Sequence, residues 1–546
     1  MGSAVLGARD LAGCEHRLAL DSAARAAGDG AQALETPEAR RRIEAAQAHR
    51  AQVVEQLRDL LESEPATVVV IDDDLPQRRR AELTMQACAD EVDWIFTAAL
   101  PADVEAGRRG HAEALIRSGN GYLPMIIVNH RITTPVKGER DPEVPITLQT
   151  SPLGPWRPAP DATRSVRSNR RDALRLAQLA AMLEAAGLAP SDDRADWVGV
   201  VIGVDADCML VVPLGAVMDE YDATFARRRA VAEGTIATIP RRINECRSCD
   251  WWPQCEAQLV AADDVSLVVG GTGTAALTAA GITTVEQLAE YRGDAPPDWP
   301  GNLAFLDAVV AANCRRLDVP LVRRLDRPAV HRADIEVDVD MESYGERGAY
   351  LWGTLLTDRS TPERGAQYLP FVTWDPLPTF DEGHAFGRFW SWLTERRRLA
   401  REAGKTFAAY CYSEQAENRW LRASADRFAG LPGVPTRAEV DSFIASDEWV
   451  DIYVAVNRNF ICPNGKGLKR IAPVAGFSWH DAEASGEASM EWYAAAVGLD
   501  GGVTDVSQRD RLLRYNEDDV QATKVLREWL TSEQILRLPT VPELLG

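Results

Sequence analysis

The stretch Ile335-Glu-Val-Asp-Val-Asp340-Met-Glu342 alternates apolar and acidic residues. Alternation with period two reads as a β-strand, and residues two apart on a strand point to one face. Asp340 and Glu342 therefore share a face at the strand's end. Adjacent like charges repel unless a cation lies between them, so D-x-E at a strand end is a candidate divalent-metal ligand pair. Working outward, Leu351-Trp-Gly-Thr-Leu-Leu356 reads as a second strand and Gly387 to Ala403 as a helix. Phe407 to Tyr412 reads as a further strand, and Glu417 to Ala425 as a helix. This alternation of strands and helices predicts an α/β domain with a mixed sheet from about Pro328 onward.

Two more segments of this half carry chemistry. In Ser413-Glu-Gln-Ala-Glu417-Asn-Arg-Trp-Leu421, Glu417 falls at a strand-to-helix junction. In Arg514-Tyr515-Asn516-Glu517-Asp518-Asp519, Tyr515 and Asp519 are four apart on an expected helix and so share a face. Four acids on three elements, with a tyrosine to place a water, can hold two metal ions about 4 Å apart for in-line phosphodiester cleavage.

The other half is marked by cysteines. Cys246-Arg-Ser-Cys249-Asp-Trp-Trp-Pro-Gln-Cys255 has ligand spacing, because two residues between thiolates let a tight turn aim both sulfurs at one metal centre. The fourth candidate ligand is Cys14, more than two hundred residues upstream, so a bound metal would close a long loop. Trp251 and Trp252 are expected to cover that site, with base stacking as the sharper option. The other five cysteines, Cys88, Cys208, Cys314, Cys411 and Cys462, read as core residues.

With 546 residues, several domains are expected. Three segments are distinguished: an α/β unit over 1–260, a helical linker over 261–327 and the second α/β domain over 328–546. In the first, helices are expected from Pro37 to Ser63 and from Arg170 to Ala186. Strands are expected at Thr67–Ile71, Met125–Val128 and Val198–Ile202, and a Pro-rich loop from Gly138 to Pro160. The linker centres on Leu277-Thr-Ala-Ala-Gly281-Ile282, which fits a helix-hairpin-helix whose Gly281 turn can offer backbone amides to a phosphate. Gly270-Gly271-Thr-Gly273 lacks the G-K-[S/T] of a phosphate loop, so ATP binding is not expected.

The net charge of −22 argues against bulk affinity for nucleic acid. Basic clusters at Arg164 to Arg175, Arg227 to Arg229, Arg315 to Arg324 and Arg396 to Arg398 can override it locally, or simply be solvated helix faces. No long apolar run predicts a membrane span. The odd number of cysteines, nine, and the absence of a signal-peptide pattern at the start fit a reducing cytoplasm.

Asp340-x-Glu342, Glu417 and Tyr515-x3-Asp519 resemble the DEDDy subfamily of RNase H-like 3′–5′ exonucleases, in a form similar to the YprB-like domains of bacteria. The resemblance implies two Mg²⁺ or Mn²⁺ ions held by Asp340, Glu342, Glu417 and Asp519, with Tyr515 orienting the attacking water. It makes Asp451 a supporting residue and Lys469 a DNA contact. Asp518 competes with Asp519 for the metal role, and the Tyr-x3-Asp spacing favours Asp519. Cys14 with Cys246, Cys249 and Cys255 resembles the iron–sulfur nucleases of the RecB (PD-(D/E)XK) superfamily, and Asp10-Leu-Ala-Gly-Cys14-Glu-His-Arg looks like the opening of a bacterial family of predicted RecB-like nucleases. This second resemblance implies one [4Fe–4S] cluster with four cysteine ligands; zinc is the alternative, since four thiolates also suit Zn²⁺.

The RecB-like half departs from its pattern. Pro124 stands where the metal-binding acid is expected, Asp161-Ala-Thr163 where D-x-K is expected, and Arg175 and Leu179 at the Q-x3-Y positions; only His49 retains a motif residue. This half is therefore expected to be a DNA-binding platform without catalysis. The function expected is a metal-dependent exodeoxyribonuclease acting on single-stranded DNA in repair or recombination, with a helicase as the partner able to open strands. The alternatives are a non-catalytic or partner-activated DNA-binding scaffold and a nuclease with both sites alive.

Overall fold

The computed structural model describes residues 4–27, 37–136, 146–483 and 485–546. The chain divides after Leu259 into two compact units.

The first unit has strands β1 (Val68–Val70), β2 (Trp94–Ala99), β3 (His111–Ser118), β4 (Gly121–Ile127), β5 (Thr133–Pro135), β6 (Gln149–Ser151), β7 (Ala159–Pro160), β8 (Arg164–Val166), β9 (Val198–Ile202) and β10 (Met209–Pro213). Its helices are α1 (Glu15–Ala27), α2 (Pro37–Leu61), α3 (Gln77–Ala89), α4 (Arg170–Ala185), α5 (Gly215–Ala232) and α6 (Trp252–Ala261). Strands β5 and β8 pair with each other, and the other eight form a sheet in the order β1-β2-β3-β4-β9-β10-β6-β7. Helices cover both faces of its centre. Ile95, Leu115 and Ile126 pack with Leu176, Leu179 and Leu183 of α4. Phe96, Ile116 and Leu123 pack with Val53, Leu57 and Leu61 of α2. Strands buried on both faces read as continuous apolar runs, which is how β4 and β9 show in the sequence.

Helices α2 and α4 fall where the periodicity places them. Of the loop expected from Gly138 to Pro160, residues 138–145 lie outside the described residues, and the rest contains β6 and β7. Thr150 of β6 stands opposite Leu210 of β10, and β7 lies at the sheet edge, where its Pro160 is tolerated.

The second unit begins with helices α7 (Gly271–Ala279), α8 (Val285–Glu290) and α9 (Phe305–Leu317). Its strands are β11 (Val322–Arg323), β12 (Ile335–Tyr344), β13 (Gly348–Asp358), β14 (Gln367–Val372), β15 (Phe407–Cys411), β16 (Trp449–Asp451) and β17 (Phe460–Ile461). Further helices are α10 (Asp381–Glu402), α11 (Gln415–Arg427), α12 (Arg437–Ile444), α13 (Ile452–Asn459), α14 (Leu468–Ile471), α15 (Gly486–Val497) and α16 (Ser507–Leu530). Five strands form a sheet in the order β14-β13-β12-β15-β16. β12 runs antiparallel to β13 and parallel to β15, so the sheet is mixed, as expected. Residues 261–327 fall in the same compact unit as this sheet. Val310 and Cys314 of α9 pack against Val322 and Ile461.

The alternation in β12 sorts its two faces. Val337, Val339 and Met341 enter a core with Trp352, Phe386 and Phe389. Glu336, Asp338, Asp340 and Glu342 take the opposite face, toward α16.

Candidate active site

Along β12 the four acids meet two kinds of partner on α16. Glu336 and Asp338 are fully buried and bound by the buried guanidinium of Arg527, with Nη2 of Arg527 3.1 Å from Oε2 of Glu336. Arg332 adds two hydrogen bonds to Glu336, at 2.6 and 2.9 Å. Burial alone would raise the pKa of Glu336, but Arg332 and Arg527 outweigh it and hold the group at about 2. At the other end of the strand the acids have no such partner. One oxygen each from Asp340, Glu342 and Asp519 lies within 4.8 Å of the others, the only such group of three or more His, Cys, Asp or Glu side chains among the described residues.

These carboxylates bear the electrostatic signature of a cation site. Burial and then the charge of Asp519 raise Glu342 to about 8. Burial, then Asp519, Glu342 and Glu417, push Asp340 well above the usual carboxylate range. A divalent ion reverses that balance, since it stabilises the ionised form of every carboxylate touching it.

Hydrogen bonds set the group in place. Asn516 donates to Oδ2 of Asp340 at 2.8 Å and accepts from Tyr368 at 2.9 Å. Asn516 lies so close to β13 that a Cβ on Gly353 would stand 1.6 Å from its Oδ1, which fixes glycine there. Ser489 of α15 donates to Oε2 of Glu342 at 2.7 Å. Nε1 of Trp479 donates to Oδ1 of Asp519 at 2.7 Å. Asp518 is taken up instead by His480, through its backbone N–H at 2.9 Å and Nδ1 at 2.7 Å. Asp519, not its neighbour, thus faces Asp340 and Glu342.

Tyr515 is one turn before Asp519 on the same face of α16. Burial, then Glu342 and Asp519, raise its pKa far above the ordinary phenol range, so it is a neutral hydroxyl. Nζ of Lys469 lies 3.2 Å from that hydroxyl and 4.5 Å from the ring centroid. Lys469 thus sits against the tyrosine, and its charge opposes the carboxylates' raised pKa values.

Residues 426–531 match the RNase_H superfamily.

The C-terminal unit therefore carries an RNase H-like domain. The match includes Lys469, Trp479, Tyr515 and Asp519; Asp340, Glu342 and Glu417 lie upstream of it. No curated protein matches the chain, and no solved structure matches it.

Upstream of the match, Glu417 is in the first turn of α11 and is not part of the close group of three. It lies near enough to raise Asp340, and its own pKa is raised by burial to about 8. Its Oε2 is buried without a hydrogen-bond partner among the described residues, as an atom reserved for a ligand would be. Asp451 secures this helix. Its two carboxylate oxygens accept from the backbone N–H groups of Ser413 and Glu414 at 2.9 and 3.2 Å, and Oδ1 also caps α13 through Tyr453 N–H at 2.8 Å. Ser413 has the left-handed φ of 72° just before α11. Trp479, Ser489 and Asn516 were not singled out by sequence reading, because no period or motif links them to the acids.

In the first unit, Cys14, Cys246, Cys249 and Cys255 line one cavity of about 390 Å³. Sγ of Cys14 receives the N–H of Arg17 at 3.4 Å, and Sγ of Cys246 receives that of Ile243 at 3.3 Å. Burial first, then the other three cysteines, raise the pKa of Cys255 to about 11, so it is a neutral thiol near pH 7. The donor set and the N–H···S bonds fit a cysteine-ligated cluster, whose sulfurs are tuned by such bonds. Trp251 bonds Asp21 at 2.8 Å beside the site.

Two expectations need correction. Arg175 does not converge with Pro124 and Thr163. Pro124 is a buried β4 residue opposite Leu115, and Thr163 bonds Asp161 in a local turn, at 2.8 Å from its N–H and 2.6 Å from its hydroxyl. Arg175 instead bonds both oxygens of Glu113 on β3, each at 2.9 Å. Glu113 is the buried acid of this sheet, and the run His111-Ala-Glu-Ala-Leu-Ile before a glycine turn was its sequence signal. Gly281 does have the left-handed φ of 81° expected at the hairpin turn. Its amide, however, donates to Thr278 O, that of Ile282 to Leu277 O, and those of Thr283 and Thr284 to Oε1 of Gln287. These donors are already used, so they do not form a phosphate cradle.

Proposed function

We propose that the chain is a metal-dependent exodeoxyribonuclease that shortens single-stranded DNA from its 3′ end, in DNA repair or recombination. An RNase H-like domain points to a nuclease-type hydrolase acting on nucleic acid. The observation that carries the finer reading is the convergence of Asp340, Glu342 and Asp519 within 4.8 Å, one turn of α16 from Tyr515. These three with Glu417 would hold two Mg²⁺ or Mn²⁺ ions, which supply charge stabilisation for the attacking and leaving oxygens of an in-line displacement. Tyr515, neutral and fixed beside Lys469, positions the water by hydrogen bonding. Trp479, Ser489 and Asn516 orient the carboxylates, and Lys469 meets the negative charge of the strand.

The N-terminal unit is read as a RecB-like domain, stapled by a [4Fe–4S] cluster on Cys14, Cys246, Cys249 and Cys255, that binds DNA without cutting it. The pairing of Glu113 with Arg175 supports the loss of catalysis, because a carboxylate bound by a guanidinium is not offered to a metal. Iron and acid-labile sulfide in protein purified without air would support the cluster; zinc in their place would overturn it.

Incubation with 5′-labelled single-stranded DNA, and with RNA of the same sequence, tests the activity. A ladder shortening from the 3′ end of the DNA, dependent on Mn²⁺ or Mg²⁺ and stopped by EDTA, is expected. Shortening of RNA alone would overturn the substrate, and binding without cleavage would favour a scaffold that acts with a partner.

A further inference from the structure

A second cavity of the N-terminal unit, of about 610 Å³, adjoins the cysteine cavity; Arg9, Arg17 and Arg175 line both. Five arginines and three aspartates line this second cavity. The charge is less balanced than those numbers suggest, because its acids are partly occupied. Asp21 accepts from Arg17 at 3.3 Å and from Trp251 at 2.8 Å, and the buried Asp10 accepts from Gly7 N–H at 2.9 Å. Among the described residues no ion pair engages the exposed guanidinium of Arg9 or of Arg109. Beyond His111 at the cavity's edge, Arg175 and Arg50 both face Glu113, at 2.9 and 4.0 Å. Two cations there meet one carboxylate, and the nearby Asp172 is bound to His130 at 2.9 Å. The pKa of His111 is lowered, first by burial and then by Arg175, with Arg80 and Arg50 adding to the effect against Glu113.

We propose that this cavity docks the phosphodiester backbone of a nucleic-acid strand, with Arg9 and Arg109 meeting its phosphates. The inference rests on the nucleic-acid reading above and assigns that substrate a second holding point. A chain of net charge −22 repels a polyanion at large, so binding needs a local excess of positive charge. Arginine suits it, because the planar guanidinium gives phosphate two parallel hydrogen bonds. Asp21 is bound by Arg17 and Asp10 by the Gly7 N–H, which leaves Asp250 to set against Arg9 and Arg109, so the cavity keeps an excess of positive charge where the RNase H-like site gathers acids.

The test is fluorescence anisotropy of a 5′-fluorescein oligothymidylate with the full chain in EDTA, over a range of NaCl concentrations. Arg9→Glu/Arg109→Glu is expected to bind at least about 10-fold more weakly. The slope of log affinity against log salt should be shallower by about 1.4, at about 0.7 for each single-strand phosphate that an arginine no longer neutralises. Arg9→Lys/Arg109→Lys should keep most of the binding, and an unchanged melting temperature shows that the reversed variant folds. Wild-type affinity and slope in Arg9→Glu/Arg109→Glu, with metal-dependent cleavage intact, would overturn this site alone. Neither binding nor cleavage by the wild type would overturn the nucleic-acid reading together with it.

Discussion

Asp519 and Arg527 lie on one face of α16, two turns apart, and divide the four acids of β12 between them. Arg527 neutralises Glu336 and Asp338, while Asp519 adds a third carboxylate to Asp340 and Glu342. One strand face thus has a half closed by a protein cation and a half that calls for a metal. Arg527→Met would leave the buried Asp338 without its cation and Glu336 with Arg332 alone. Loss of one partner of a buried ion pair costs about 3–5 kcal/mol, so denaturant unfolding should show a loss of that size. Adding Glu336→Gln and Asp338→Asn should restore most of it.

Trp479→Phe keeps an aromatic side chain but removes the N–H that holds Asp519. Groups that orient a metal ligand are typically worth about 10–100-fold in metal affinity. Mn²⁺ titration of this variant should show weaker binding in that range, with melting little changed; undiminished Mn²⁺ affinity would remove Trp479 from the site.

The raised pKa of Glu342 has a stability consequence of definite sign. Folded, the group keeps its proton up to about 8; unfolded, it releases it near 4.5. Below 4.5 its contribution to stability is fully present, and it is lost as pH rises toward about 8. In EDTA, Glu342→Gln should melt with the wild type at the acid end and above it at about pH 8. Saturating Mn²⁺ should close that gap by stabilising the wild type. A gap independent of pH would contradict the assignment.

The proposed cysteine staple lies in a different unit from the acid site, so the two should be separable. On the chain-entropy scale for cross-links, closing a loop this long is worth up to about 5 kcal/mol. Cys255→Ser should therefore lower the melting temperature of the N-terminal unit. Metal-dependent cleavage of short strands should persist, because its acids lie in the other unit. Loss of cleavage in a variant whose C-terminal unit still melts normally would show that the two are coupled.

The parts of this site written in regular elements were legible in sequence. Period two in Ile335–Glu342 set Asp340 and Glu342 on one face, and period four joined Tyr515 to Asp519. The rest depends on contacts with no period. Trp479 sits outside any helix or strand and Ser489 on a separate helix, and only the folded chain brings them to Asp519 and Glu342. The buried runs of β2 and β3 lack alternation, so nothing in their period marks Glu113 as a buried acid on β3. At Gly281 the turn itself was legible, whereas the capture of its neighbours' amides by Gln287 was not.

The most direct test of the metal site is titration of the full chain with Mn²⁺, followed by the electron paramagnetic resonance signal of the free ion. The wild type should remove two Mn²⁺ per chain. Asp340→Ala should lose both ions, or hold them far more weakly, and lose strand cleavage by on the order of 10³-fold, since bound metal supplies several kcal/mol and each 1.36 kcal/mol is tenfold. Undiminished Mn²⁺ binding and cleavage in Asp340→Ala would place the chemistry of this protein elsewhere.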